Sequence, residues 1–475
     1  MAHIHREPYI TIAGVTAERV LIAWGAFFFD VSGDAIDGRF KLVEDKDLQH
    51  VNPPRSTSIG ESSSDYGPAE IRVWEKGSDP AHAIVAVVPS DSPATRVNHA
   101  WVDGLKPNTA YQYRVLVKGE PWAEEERRDW VTLGSKQGMF LAKGIYENEF
   151  TTYPRETDPT PPFTFAVLGD YGKGMKEKDS PQGKIAEALA LAVRTKGVRF
   201  VVTTGDHIYG NGFFNSHDTG NEDSDWFFTH YQPYRYILNR VAFYPACGNH
   251  DADETEKSDD YTQMLDNFYI RQRFLSGDRD EGDAVKDRGL FYRFRFGKDV
   301  ELVSIDSSRP DKNGPRAFAL PANAPILTGF FPPVTAAAAL WRIPFFHHPP
   351  YVDGPWKSND VDAEEGLVKP LFERGGVRLV FNGHEHNFQV SRHNDIHYVL
   401  TGAAGEAREE PLRGEARAHN IAWSPRHHFL IVEYSADGRM RVTPYGPLVN
   451  GQLSPVAVTK PGGQAFPLPL EISLA

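Results

Sequence analysis

Five short apolar runs in this chain each lead straight into a cluster of polar side chains. Phe163–Leu168 runs into Gly169-Asp170-Tyr171-Gly172, and Val198–Thr203 into Gly205-Asp206-His207-Ile208-Tyr209. Val241–Ala246 runs into Gly248-Asn249-His250-Asp251. Ile343–Phe346 runs into His347-His348-Pro349-Pro350, and Val377–Phe381 into Asn382-Gly383-His384-Glu385-His386. Continuous apolar runs of this length suit strands covered on both faces. In α/β sheets, ligands bind at the carboxyl ends of strands, so the clusters are expected to converge on one place. A glycine ahead of the key residue lets the chain turn sharply and approach an ion closely.

The stretches between these runs support an α/β sandwich. Ser180-Pro181 is a good helix start, with Ser as N-cap and Pro in the first turn. Ile185, Leu189 and Val193 follow at a spacing of four, and Gly197 ends the helix. Val300–Ile305 reads as a further strand, and Ile396–Thr401, Phe429–Tyr434 and Met440–Pro444 as strands joined by tight turns. The prolines of 153–162 mark a linker. They divide the chain into an all-β domain over residues 1–155, a catalytic domain over 156–450, and a Pro- and Gly-rich surface tail over 451–475.

In the first domain, Val20, Ile22 and Trp24 alternate with Leu21 and Ala23 in a half-buried strand pattern, which Ile71 and Val73 repeat. Leu105, the turn at Pro107-Asn108, and Tyr111, Tyr113 and Val115 on one face describe a turn feeding a strand. This stretch resembles the Leu-x-Pro-x-Thr-x-Tyr signature of fibronectin type III domains. Residues 30–66, rich in Ser, Gly and Asp, read as an insertion.

The 475 residues carry 51 basic and 64 acidic side chains, a net charge of −13 that repels nucleic acid and anionic lipid. The single cysteine, Cys247, rules out an intrachain disulfide and reads as a buried thiol at a strand end. The N-terminus shows no basic and apolar leader pattern, and Val20–Phe29 is too short to span a membrane. A soluble cytoplasmic protein is expected, with no membrane or nucleic-acid partner.

Asp170, Asp206, Tyr209, Asn249, His347, His384 and His386 make seven candidate ligands. Seven exceed one tetrahedral ion and suit two metals that share a carboxylate. Hard oxygen donors mixed with imidazole suit iron, manganese or zinc rather than copper or calcium. Two metals about 3.5–4 Å apart are a recognised clamp for displacement at phosphorus.

The ordered set Gly-Asp-x-Gly, Gly-Asp-x-x-Tyr, Gly-Asn-His, x-x-His and Gly-His-x-His is similar to that of purple acid phosphatases, over residues 163–450. Many members of that family carry a fibronectin-like N-terminal domain. General metallophosphoesterases have a ligand histidine where this chain has Gly172, and Tyr209 stands in compensation. The resemblance therefore implies an iron–tyrosinate centre: Fe(III) on Asp170, Tyr209 and His386, a divalent Fe, Zn or Mn on Asn249, His347 and His384, and Asp206 between them. It implies hydrolysis of small phosphate monoesters by a metal-bound hydroxide, with Asp206 and His250 catalytic. Asn249, His250 and His348 are the expected substrate-binding residues.

The sequence departs from the plant enzymes at Trp356 and Lys357, where substrate-facing histidines are expected, and at Asp251, where Glu is commoner. A phosphodiesterase or phospholipase on the same metal core is the alternative, and an inactive binding protein is a third reading. Lys357 reads first as a solvated surface lysine and second as a point charge for phosphate, and His207, His217 and His230 are further candidates to line the cleft. The β domain is expected to serve structure, beside the site or in a homo-oligomer contact.

Overall fold

The computed structural model describes residues 4–30, 41–42, 68–88, 98–123, 130–133, 136–140, 145–173, 180–209, 226–252, 259–274, 289–311, 313–334 and 340–474. The chain divides into two compact units. One is Met1–Arg155 with Met175–Gly183 and Trp226–Ala242, and the other is Glu156–Gly174 with Lys184–Asp225 and Phe243–Ala475.

The first unit is predominantly β. Its strands are β1 (Ile4–Val15), β2 (Arg19–Asp30), β3 (Lys41–Leu42), β4 (Ala69–Glu75), β5 (Ile84–Val88), β6 (Asn98–Asp103), β7 (Ala110–Val117), β8 (Glu120–Pro121), β9 (Trp130–Leu133), β10 (Lys136–Phe140) and β11 (Glu149–Thr151). β2 pairs with β1, β3 and β6, while β7 anchors a second antiparallel sheet of order β11-β7-β4-β5. Ile71, Val73, Tyr111, Tyr113 and Val115 all point inward, as their alternation predicts.

β2 departs from its expected half-buried pattern, because Val20 to Trp24 are buried on both faces. The reason lies further along that strand. Its odd-numbered face also carries Phe27 and Phe29, whose rings lie 5.1 and 4.8 Å from Phe227 in the helical stretch after Trp226. Burying two phenyl rings returns more than leaving that face to water. The stretch read as an insertion falls mostly outside the described residues.

The second unit holds β12 (Phe163–Leu168), β13 (Val198–Thr203), β14 (Ala242–Pro245), β15 (Tyr292–Phe296), β16 (Val300–Ser304), β17 (Trp341–Phe345), β18 (Leu379–Asn382), β19 (Phe388–His393), β20 (Ile396–Thr401), β21 (Asn420–Ser424), β22 (Phe429–Tyr434), β23 (Met440–Tyr445) and β24 (Leu470–Ile472). They form one sheet of order β14-β13-β12-β22-β23-β24 and another of order β15-β16-β17-β18-β20-β19-β21. β12 and β13 are parallel, and so is the run β16, β17, β18, β20. Parallel neighbours bring their carboxyl ends to a common edge, which is what a shared site needs.

Aromatic rings join the two sheets. Phe163 stacks on Phe296 at 4.0 Å, Tyr244 on Phe294 at 3.7 Å, and Phe165 meets Phe381 edge-on at 6.2 Å. On the far face of the second sheet, Val303, Phe346 and Val380 pack with Leu327, Leu367, Val368 and Phe372 from helical segments. The helix Pro181–Lys196 connects β12 to β13. Ser180 Oγ accepts the Gly183 N–H at 3.1 Å, Ile185, Leu189 and Val193 are buried, and Gly197 closes the helix at φ 62°.

Two expectations need correction. β15, β19 and β21 are strands the sequence reading passed over. The C-terminal tail is not simply surface: β24 pairs with β23 and buries Leu470 and Ile472. Three residues alternating apolar, polar, apolar are enough to cap a sheet edge that would otherwise expose unpaired N–H and C=O groups.

Candidate metal centre

The five clusters do meet at the carboxyl ends of their strands. Asp170 follows β12, Asp206 and Tyr209 follow β13, Asn249 follows β14, His347 follows β17, and His384 and His386 follow β18. Asp170, Asp206 and His384 sit at φ 51°, 53° and 75°, in the left-handed region that non-glycine residues rarely occupy. Such strain persists only where the surroundings enforce it, and it gathers at functional sites. Close approach of backbone enforces it here. A Cβ on Gly248 would run into the Asp206 carboxylate, and one on Gly383 into that of Asp170.

His347 lies at the centre. The Thr204 carbonyl can only accept, so His347 Nδ1 donates to it at 2.8 Å, and in the neutral ring Nε2 is left as a lone pair. That lone pair faces Asn249 Oδ1 at 3.0 Å, His384 Nδ1 at 3.0 Å and Asp206 Oδ2 at 3.4 Å. Alongside, the Tyr209 hydroxyl stands 3.0 Å from His386 Nε2 and 3.2 Å from Asp206 Oδ2, and His386 Nε2 is 3.6 Å from Asp170 Oδ1. Asp170 also accepts the His384 N–H at 2.9 Å. All seven expected ligands are thus brought together. Asp170, Asp206 and His347 offer atoms within 4.8 Å of one another, as do His347, His348 and His384.

Carboxylate, amide, phenol and imidazole atoms gathered this closely fit cations. Burial and the nearby Asp206 carboxylate push Asp170 well above the usual carboxylate range. Burial also works to raise Asp206, but the imidazoles of His347 and His250 bring it well below that range. Burial holds His384, His348 and His386 low, which keeps them neutral and able to coordinate. Burial and then the Asp206 and Asp170 carboxylates push the Tyr209 phenol well up, a bias that a bound cation reverses.

His250 is exposed at the mouth, its N–H donating to Asp206 Oδ1 at 3.0 Å and its ring 4.5 Å from that of Tyr209. His348 is buried behind His347 and His384, with Nδ1 bonded to the Ser307 hydroxyl at 2.9 Å. His207 does not line the cleft. It is buried between Thr203 Oγ1 at 2.6 Å and Asp251 Oδ2 at 2.8 Å. His230 is buried in the other unit beside Trp226 and Tyr234, and His217 lies outside the described residues. Asp251 also turns inward: its carboxylate accepts the N–H groups of Gly248, Asp206 and His207 at 2.8 to 2.9 Å. Its difference from Glu is therefore a matter of loop architecture.

Residues 163–388 match the family model described as calcineurin-like phosphoesterase. The chain carries a calcineurin-like metallophosphoesterase domain. It is 27% identical over 256 residues to purple acid phosphatase 17 of Arabidopsis thaliana, spanning 51% of this chain and 69% of that protein. It is 25% identical over 281 residues to tartrate-resistant acid phosphatase type 5 of Mus musculus, spanning 56% of this chain and 79% of that one. Among solved structures, purple acid phosphatase PPD1 from yellow lupin seeds superposes with a TM-score of 0.57 at 12% identity, covering 96% of this chain and 74% of that one. The structure of PhoD gives 0.59 at 12% identity, covering 97% and 92%. At that identity the two structures speak for the fold alone. Family and relatives together mark a phosphoester hydrolase and imply a dimetal centre.

The metallophosphoesterase domain also uses residues that the sequence reading did not single out. Glu406 faces His386 Nδ1 at 3.3 Å and accepts from the Lys173 ammonium at 3.0 Å. Glu385, fully buried, accepts from Arg408 Nη1 at 3.0 Å. Glu385 could have been found, since it sits inside the Gly-His-x-His motif. Glu406 had no such signal.

Proposed function

We propose that this chain is a purple acid phosphatase-like hydrolase of small phosphate monoesters, built on an Fe(III) and divalent-metal pair. The observation that carries the reading is the orientation of His347. With Nδ1 given to Thr204, Nε2 is turned toward Asn249, His384 and Asp206, a cluster that suits a cation once one replaces the ring proton. In this reading Asp170, Tyr209 and His386 hold the ferric ion, Asn249, His347 and His384 hold the divalent Fe, Zn or Mn, and Asp206 bridges. When bound, such a pair supplies Lewis-acid polarisation of the phosphoryl oxygens and lowers the pKa of water.

The side chains do the rest. Asn249 and His250, at the mouth, orient the phosphoryl group, and a ring nitrogen of His250 gives a proton to the departing ester oxygen. Asp206 keeps His250 in place by accepting its backbone N–H. His348 props His384, with ring centroids 4.5 Å apart, and reaches substrate only through the nitrogen that Ser307 leaves free. The β-rich first unit fits a fibronectin type III-like reading, which is supported by the Tyr111 hydroxyl accepting the Lys106 N–H at 2.7 Å in the manner of a tyrosine corner.

The test is hydrolysis by protein loaded with iron plus zinc or manganese. An aryl phosphate monoester and the matching diester are compared from acid to alkaline pH. Dominant monoesterase activity is expected. Dominant diesterase activity would transfer the reading to a phosphodiesterase, and inactivity on both would overturn it.

A further inference from the structure

Where the resembled plant enzymes place histidines, this chain has Trp356 and Lys357, and the structure fixes both with unusual care. Glu385 is fully buried, yet its Oε2 accepts the backbone N–H groups of Trp356 at 2.8 Å and Lys357 at 2.7 Å. Its Oε1 accepts the His386 N–H at 3.1 Å and Arg408 Nη1 at 3.0 Å. Glu385 is the residue between His384 and His386, so the Trp356–Lys357 step is tied directly to the segment carrying two candidate ligands. Charge-assisted bonds of this kind are the strong ones, and they are not needed to hold a solvated loop.

Arg408 adds a second restraint. Its N–H donates to the His386 carbonyl at 2.8 Å, and its guanidinium lies 4.2 Å from the centroid of the Trp356 ring. The indole is nevertheless 62% exposed. A large apolar ring is thus tied through its backbone to the segment of His384 and His386, backed by a cation on one face, and left open to solvent. Lys357 is half-buried beside it. Its ammonium makes no hydrogen bond or ion pair among the described residues, and its backbone N–H is held by Glu385, the neighbour of His384.

We propose that Trp356 and Lys357 set substrate specificity, selecting a phosphate ester whose alcohol carries a planar aromatic ring, as aryl esters and nucleotides do. The indole stacks on that ring, and the Lys357 ammonium meets the phosphate oxygens. This inference rests on the phosphoesterase reading above. Stacking tolerates any flat ring, so the selection is for the class rather than one compound.

Calorimetric titration of the metal-loaded protein with phenylphosphonate and methylphosphonate separates the two contributions. Turnover of phenyl phosphate is measured on the same preparation. The wild type is expected to bind phenylphosphonate more tightly. Trp356→Leu should weaken that ligand by roughly tenfold while leaving methylphosphonate unaltered, and Trp356→Phe should restore most of the loss. Lys357→Met should weaken both ligands alike. Equal binding of the two by the wild type, or an equal loss of both in Trp356→Leu, would overturn the inference and leave the phosphatase reading intact. A protein that binds neither and hydrolyses no phosphate ester would bring down both.

Discussion

Glu406 never enters the cleft, yet it decides how His386 is presented. Bonding to His386 and the Lys173 ammonium bring its carboxyl down to about 2, so it is ionised at any working pH. An ionised acceptor at Nδ1 keeps the proton there and leaves Nε2 to face Asp170 and Tyr209. Glu406→Gln is therefore expected to cost about 10- to 100-fold in metal affinity. Competition against a chelator of known affinity would read this, and an unchanged constant would mean that packing alone holds the ring. Tyr209 makes a separate prediction at this scale. Its hydroxyl lies within 3.2 Å of Asp206 and His386, among the expected ferric ligands. Iron-loaded protein should show a visible charge-transfer band that Tyr209→Phe abolishes; a colourless wild type holding full iron would contradict the assignment.

The elements that matter most are the loops after β13 and β14, and one carboxylate joins them. Asp251 collects three backbone N–H groups from both loops and also holds His207. Asp251→Ala leaves those buried donors unpaired, and a single orphan costs about 1–3 kcal/mol. We expect a loss of at least about 2 kcal/mol in urea denaturation, together with weakened metal binding, because Asp206 and Asn249 sit on the same loops. Wild-type values for both would show that the loops hold without the latch. This carboxylate also marks the limit of what the sequence revealed. The ligand clusters were legible because each follows an apolar strand and a tight turn. Asp251 was legible as part of a motif but not as a latch, since its partners are backbone groups brought together only by folding. β19 was missed for a related reason. Its Gln389 and Ser391 are buried, and Gln389 is satisfied by the Asp353 N–H at 2.9 Å and the Gly354 carbonyl at 2.8 Å, so a core face reads as polar. β15 did carry a signal, the alternation Tyr-Arg-Phe-Arg-Phe, with Tyr292 and Phe296 buried.

Across the whole molecule, folding gathers buried carboxylates and imidazoles that repel or desolvate one another, and bound cations would relieve this. The relief has a pH signature. Burial pulls the His347 imidazole down, but the Asp206 and Asp170 carboxylates outweigh it and hold the metal-free ring at about 9, against 6.5 for a free imidazole. A base whose folded pKa is raised contributes its full stabilisation below 6.5 and loses it as pH climbs to about 9. His348, His384 and His386, all lowered, are neutral in both folded and unfolded chains above 6.5 and add no slope there. Asp206, lowered, is ionised in both states, and Asp170, raised, can only add to the loss. Metal-free protein should therefore lose stability as pH rises from 6.5 to 9. With His347 as a ligand, a cation would take the place of its proton in the loaded protein, so this loss would disappear and affinity would rise over the same window because fewer protons must be displaced. Melting temperatures of metal-free and loaded protein should accordingly diverge between those two pH values. Parallel curves would mean that His347 does not exchange its proton for a metal, and the centre would have to be built around a different residue.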